Sequence, residues 1–114
     1  MTKQQLINEI LKRYDVKADY PFGDQTTIFR HKHNKKWFGV LMNIPKNKIV
    51  GESKEKTEVL NVKVSSILKE ALLQKSGIYT AYHMNKTHWI SIIIAEIENK
   101  DLITLLDISF DLTK

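Results

Sequence analysis

Residues 89–97, Trp-Ile-Ser-Ile-Ile-Ile-Ala-Glu-Ile, constrain the fold more than any other stretch of this chain. In an extended strand Ile90, Ile92 and Ile94 point to one side and Ile93 and Ala95 to the other. A strand apolar on both faces belongs inside a sheet that is covered on much of both sides. As a helix this run is about half the length needed to span a bilayer. The rest of the chain must therefore supply flanking strands and apolar cover.

Strand partners are easy to place. Residues 26–32 and 37–44 are rich in β-branched and aromatic side chains, and the polar group His33-Asn34-Lys35-Lys36 divides them. That pattern predicts a β-hairpin with a basic tip. Pro45 ends the second strand, since it has no N–H for a ladder. Residues 46–56 read as a long polar loop with a short strand fragment at Lys48-Ile49-Val50, and a third strand follows at 57–64. Residues 78–82 and 88–97 form a second hairpin around the polar turn 83–87.

Cover comes from three helical stripes. Thr2 followed by Gln5 is a capping-box pattern, and Leu6, Ile7, Ile10, Leu11 and Tyr14 then recur on one helix face, predicting a helix over 3–15. Residues 18–24, with Pro21 and Gly23, read as a connector. Ser65 or Ser66 can cap a second helix carrying Ile67, Leu68, Ala71 and Leu72 and running until Gly77. Asn99 can cap a third with Leu102, Ile103, Leu106 and Phe110 on one side. The expected architecture is α+β, in the order α-β(3)-α-β(2)-α, with a mainly antiparallel sheet and helices packed on one face. All 114 residues fit one domain, 1–114.

The chain has no cysteine, which excludes disulfides, thiolate metal sites and a cysteine nucleophile, and suits a reducing, cytoplasmic setting. Residues 1–14 are charged and periodic, unlike a signal peptide, and no membrane association is expected. The net charge is +5. Nine Lys/Arg and three Glu fall between Arg30 and Lys63, so this third of the chain carries +6 and the remainder −1. Such a surface suits a polyanion, because neutralising phosphates releases counterions, although a lysine-rich hairpin also serves solubility.

The densest polar and aromatic group is Tyr82-His83-Met84-Asn85-Lys86-Thr87-His88-Trp89. As a site it offers His83 or His88 as a base, Lys86 as an anion contact and Trp89 as a stacking platform. As structure, Tyr82 and Trp89 are half-buried aromatics and the histidines satisfy a turn, and this second reading weighs more. The four histidines, His31, His33, His83 and His88, lack metalloprotein spacing, so no metal site is expected. The four glycines are scattered, so no phosphate loop can be drawn and no cofactor is expected. No Ser-His-Asp arrangement stands out, and no catalytic residue is assigned.

Four stretches together resemble the MmcQ/YjbR family. They are Tyr20-Pro21-Phe22-Gly23, the hairpin 29–41 with its lysine turn and Trp37-Phe38, the run 82–89, and the closing helix with Leu106, Asp107, Ser109, Phe110 and Leu112. The resemblance spans nearly the whole chain. It implies the same α-β(3)-α-β(2)-α fold, named double-wing or CyaY-like, and a DNA-binding role assigned by structural similarity to a phage transcription factor's DNA-binding domain. The 46–56 loop is longer than the family's, and Phe110 stands where tyrosine is common.

The leading functional expectation is therefore a module that binds double-stranded DNA with weak sequence selectivity. Lys32, Lys35, Lys36, Lys46 and Lys48 would contact phosphates, Lys86 would form a second cluster, and Trp37 would stack or wedge. Two rivals stand beside it. One is a protein-interaction or chaperone-like module using a sheet face or edge. The other is a small-molecule site around His83, Asn85, Lys86 and His88.

Overall fold

In the computed structural model, which describes residues 1–114, the chain runs α1 (Lys3–Arg13), β1 (Val16–Asp19), β2 (Thr26–His31), β3 (Trp37–Pro45), β4 (Lys56–Lys63), α2 (Ser66–Leu72), β5 (Ile78–Thr80), β6 (Trp89–Ile93) and α3 (Asn99–Thr113). The six strands form one antiparallel sheet in the order β1-β2-β3-β4-β6-β5. The α+β class and the antiparallel sheet follow the sequence pattern. β6 lies between β4 and β5, the interior position its two apolar faces require.

One face of the sheet carries a core of nineteen buried apolar residues, whereas the other carries only five: Ile28, Val40, Met42, Val59 and Ile93. Residues from all three helices join the larger cluster. The second face is left open to loops. No helix is long and apolar enough to cross a membrane.

Local chemistry accounts for the element ends. Thr2 and Gln5 make the predicted reciprocal capping box at α1. α1 stops at Arg13, two residues early, because Tyr14 turns extended to stack on Phe110 at 4.7 Å and meet Phe38 edge-on at 5.4 Å. The turn feeds a strand that the sequence pattern does not predict. β1 is short, only Val16 in it is buried, and its charged Lys17 and Asp19 mask the strand signal. Arg13 reaches Asp107 of α3 with two hydrogen bonds, at 2.9 and 2.7 Å, and the Tyr14 hydroxyl donates to the same carboxylate. The Arg13 bonds hold the Asp107 carboxyl below its usual range, while burial and the Asp107 contact push the Tyr14 phenol up.

Four further boundaries differ from expectation. The Lys48-Ile49-Val50 strand fragment is absent: Lys46–Lys48 forms a 3₁₀ turn, and the N–H groups of Ile49 and Val50 both return to the Lys46 carbonyl. α2, capped by Ser65, ends at Leu72 because the N–H groups of Gln74 and Lys75 make tighter three-residue turns that unwind it. Gly77 instead serves a close approach, with φ +84° and a position where a Cβ would lie 3.0 Å from the Glu96 carbonyl oxygen. β6 ends at Ile93, where a 3₁₀ turn over Ile94–Glu96 begins, pinned by Tyr79 Oη donating to Glu96 at 2.6 Å and by Lys46 at 3.1 Å. Asn99 is the first residue of α3 rather than its cap; Glu98 holds the cap position without a side-chain bond.

Candidate nucleic-acid interface

The β2–β3 hairpin does not project freely. Asn34 donates its amide to the Thr113 carbonyl at 2.9 Å and accepts from the Lys36 N–H at 2.9 Å, which ties the tip to the end of α3. Lys35 closes the turn with φ +64°. Beneath the tip, His31 is buried between Phe38 and Phe110, with Nε2 2.8 Å from Thr113 Oγ1. That hydroxyl donates to the Ser109 carbonyl, so the imidazole must donate to it. Burial, then the charges of His33, Lys114 and Lys36, hold His31 below the ordinary histidine range.

A β-bulge sets the geometry of the open face. The register steps from Phe29–Gly39 to Arg30–Trp37, leaving Phe38 as the extra residue. Phe38 enters the helix-covered core, while Trp37 packs against the small open-face cluster. Pairing then places Lys17 beside Arg30, Arg30 beside Trp37, and Lys63 beside Trp89. The same parity that puts Val59 and Ile93 on the open face puts Lys63 and Trp89 there. Lys17, Arg30, Trp37, Lys63 and Trp89 thus share the open face, one row in from the hairpin tip. Arg30 lies over the Trp37 ring at 5.3 Å and pairs with Asp19 at 2.7 Å.

Beyond this row, the open face sinks into a cleft of about 410 Å³ floored by Ile28, Val40 and Met42. One wall is Phe22, edge-on to Trp37 at 6.4 Å. The other is the stacked pair Tyr82 and His83, 3.9 Å apart. A buried polar network fastens this second wall. Asn61 Nδ2 donates to the Tyr82 carbonyl at 2.9 Å, Ser91 Oγ donates to Asn61 Oδ1 at 2.5 Å, and the Tyr82 N–H donates to Ser91 Oγ at 2.8 Å.

The expected phosphate contacts therefore divide. Lys35, Lys36 and Trp37 gather at the hairpin end, with Lys32 held by Asp15 at 2.6 Å. Lys46 and Lys48 lie at the far end of β3, whose nine residues span roughly 25–30 Å. Lys46 is paired with Glu96, and Lys86 spends its ammonium on the Ala81 carbonyl at 2.8 Å. The small-molecule quartet does not converge either. Asn85 Oδ1 accepts from the N–H groups of Thr87 and His88, Lys86 is committed as above, His88 is exposed, and only His83 lines the cleft. Sequence reasoning missed Lys17, Lys63, Phe22 and Asn61 as site residues. Asn61 and Ser91 did carry a signal, being polar residues embedded in apolar strand runs.

The family model of YjbR matches residues 11–112. The chain belongs to the YjbR family. The uncharacterised protein YyaQ of Bacillus subtilis is 30% identical over 117 residues, covering 100% of this chain and 99% of YyaQ. A Pseudomonas syringae protein solved by crystallography shares 39% identity and superposes with a TM-score of 0.95, covering 100% of both chains. A Deinococcus radiodurans protein with a DUF419 domain, 22% identical, shares the fold alone, with a TM-score of 0.69 over 93% of this chain and 76% of its own. In YjbR terms, the Tyr-His-Met-Asn-Lys-x-His-Trp run is the loop whose Tyr82 and His83 wall the cleft.

Proposed function

We propose that this YjbR protein is a non-catalytic, cytoplasmic DNA-binding module that holds phosphates at the hairpin end of its sheet. The observation that carries the reading is where a net positive charge gathers. Lys35 and Lys36 at the tip, and Lys17 and Lys63 in the adjoining row, form no ion pair. No acidic residue lies between Arg30 and Trp37. Lys48, Lys54 and Lys56 of the 46–56 loop form no ion pair either, but Glu52 and Glu55 lie among them and Glu58 and Glu96 beside them, so the four lysines of that loop are offset in charge. All three helices pack on the opposite face, so no recognition helix accompanies these cations. Contacts to phosphate alone carry no base information, which supports weak selectivity and an affinity of about micromolar or weaker at physiological salt.

The test is a pair of charge reversals equal in number. Lys35→Glu with Lys36→Glu should weaken DNA binding by about tenfold or more at low salt. Lys48→Glu with Lys54→Glu, at the far end, should change it less than about twofold. All four side chains are exposed, so both variants should stay folded. Equal loss in the two variants would refute the assignment of the site, and absence of binding in the unmodified protein would refute the function.

A further inference from the structure

The cleft on the open face lies next to the cationic row, and the two have complementary chemistry. An apolar slot with aromatic walls takes a flat ring, and the lysines and arginine of the neighbouring row take an anion. Phe22 is 69% exposed, a costly state for a phenylalanine, and its one aromatic neighbour is Trp37. Its loop turns at Gly23, with φ +100°, and is held by the Gly23 N–H on the Tyr20 carbonyl and the Thr26 N–H on the Gly23 carbonyl, so the ring is presented from a fixed turn. Opposite, His83 is held at φ +57°, a left-handed backbone that costs a β-substituted residue energy, with its ring flat against Tyr82. Two exposed rings flank a cleft large enough to admit a base, whose floor is Ile28, Val40 and Met42.

We infer that this cleft receives one unpaired base of a single-stranded nucleic acid, its flanking phosphates lying on the Lys17–Arg30–Lys63 row. The inference rests on the nucleic-acid reading above and narrows its substrate to an unpaired strand. A base inside a duplex has both faces stacked and its pairing edge engaged, so it cannot enter. An unpaired base has its faces free for Phe22 and for the Tyr82–His83 wall, the mode by which stacking platforms hold single strands. Base identity should matter little. Asn61, the buried amide at the cleft, already spends its carbonyl oxygen and one N–H on Ser91 and Tyr82.

The experiment compares three labelled probes of equal length by fluorescence anisotropy at low salt: an oligothymidylate, the same strand with every base replaced by an abasic site, and a duplex. The oligothymidylate should bind at least about tenfold tighter than the abasic strand, which carries the same charge. Phe22→Ala, exposed enough to leave folding intact, should lower the oligothymidylate toward the abasic value and leave abasic binding unchanged. Equal affinity for the two strands would overturn the base cleft while leaving phosphate binding in place. Tighter binding of the duplex than of oligothymidylate would overturn it too. Failure of all three probes to bind would overturn both readings together.

Discussion

Removing the hydroxyl of Ser109 should cost more than its size suggests. Ser109 is fully buried on α3, where the helix crosses β3 and β4. Its Oγ donates to the Phe38 carbonyl at 2.6 Å and accepts from the Lys63 N–H at 2.8 Å. The last regular pair between these strands is Gly39 with Val62, so the hydroxyl bridges the ladder where the Phe38 bulge breaks it. Ser109→Ala leaves a buried carbonyl and a buried N–H without partners. Each such loss costs about 1–3 kcal/mol, and partial closure of the strands recovers some of it, giving about 2–4 kcal/mol in total. With a urea slope of about 2 kcal/mol/M, the midpoint should fall by roughly 1–2 M at an unchanged slope. Ser109→Thr, which keeps the hydroxyl, should lose less. A Ser109→Ala midpoint corresponding to less than about 0.5 kcal/mol of lost stability would refute the bridging role.

Trp89 is buried opposite Lys63, so Trp89→Ala should cost about 3–5 kcal/mol by denaturant titration; a midpoint close to wild type would make it a surface residue instead. His31 is held below the ordinary histidine range in the fold, so its contribution to stability is complete above the unfolded histidine value near 6.5. As pH falls below that value the unfolded chain takes a proton the folded one resists, and stability should drop with a slope of up to about 1.4 kcal/mol per pH unit for this group. In His31→Gln that component of the slope should vanish, and an unchanged acid limb in the variant would contradict the assignment.

How much of this was legible depended on the range of the interactions. The capping box at Thr2 and Gln5, the two hairpins and the two-faced strand at β6 rest on neighbours in sequence, and the structure has them. β1 was hidden because four residues with one buried side chain make almost no pattern. The bulge was hidden because Phe38 looks like an ordinary strand residue until Gly39 is seen packed on Phe29, where a Cβ would lie 3.3 Å from the ring. The basic third was legible as charge but not as a surface. The length of β3 carries Lys46 and Lys48 away from Lys35 and Lys36 and brings in Lys17 and Lys63 from outside the hairpin. The cleft depends on Asn61 meeting Ser91, thirty residues away, and on a loop folding back over both. Nothing local in the sequence specifies that return.

The central claim is that four unpaired lysines, Lys17, Lys35, Lys36 and Lys63, hold a nucleic-acid backbone together. The most direct test is the dependence of the binding constant on salt concentration. Four engaged phosphates give a slope of log K against log salt of about −3.6 on duplex and about −2.8 on single-stranded DNA. Each lysine replaced by alanine should then bring the slope toward zero by a little under one. A slope shallower than about −1 in the unmodified protein, or one untouched by those replacements, would contradict the account.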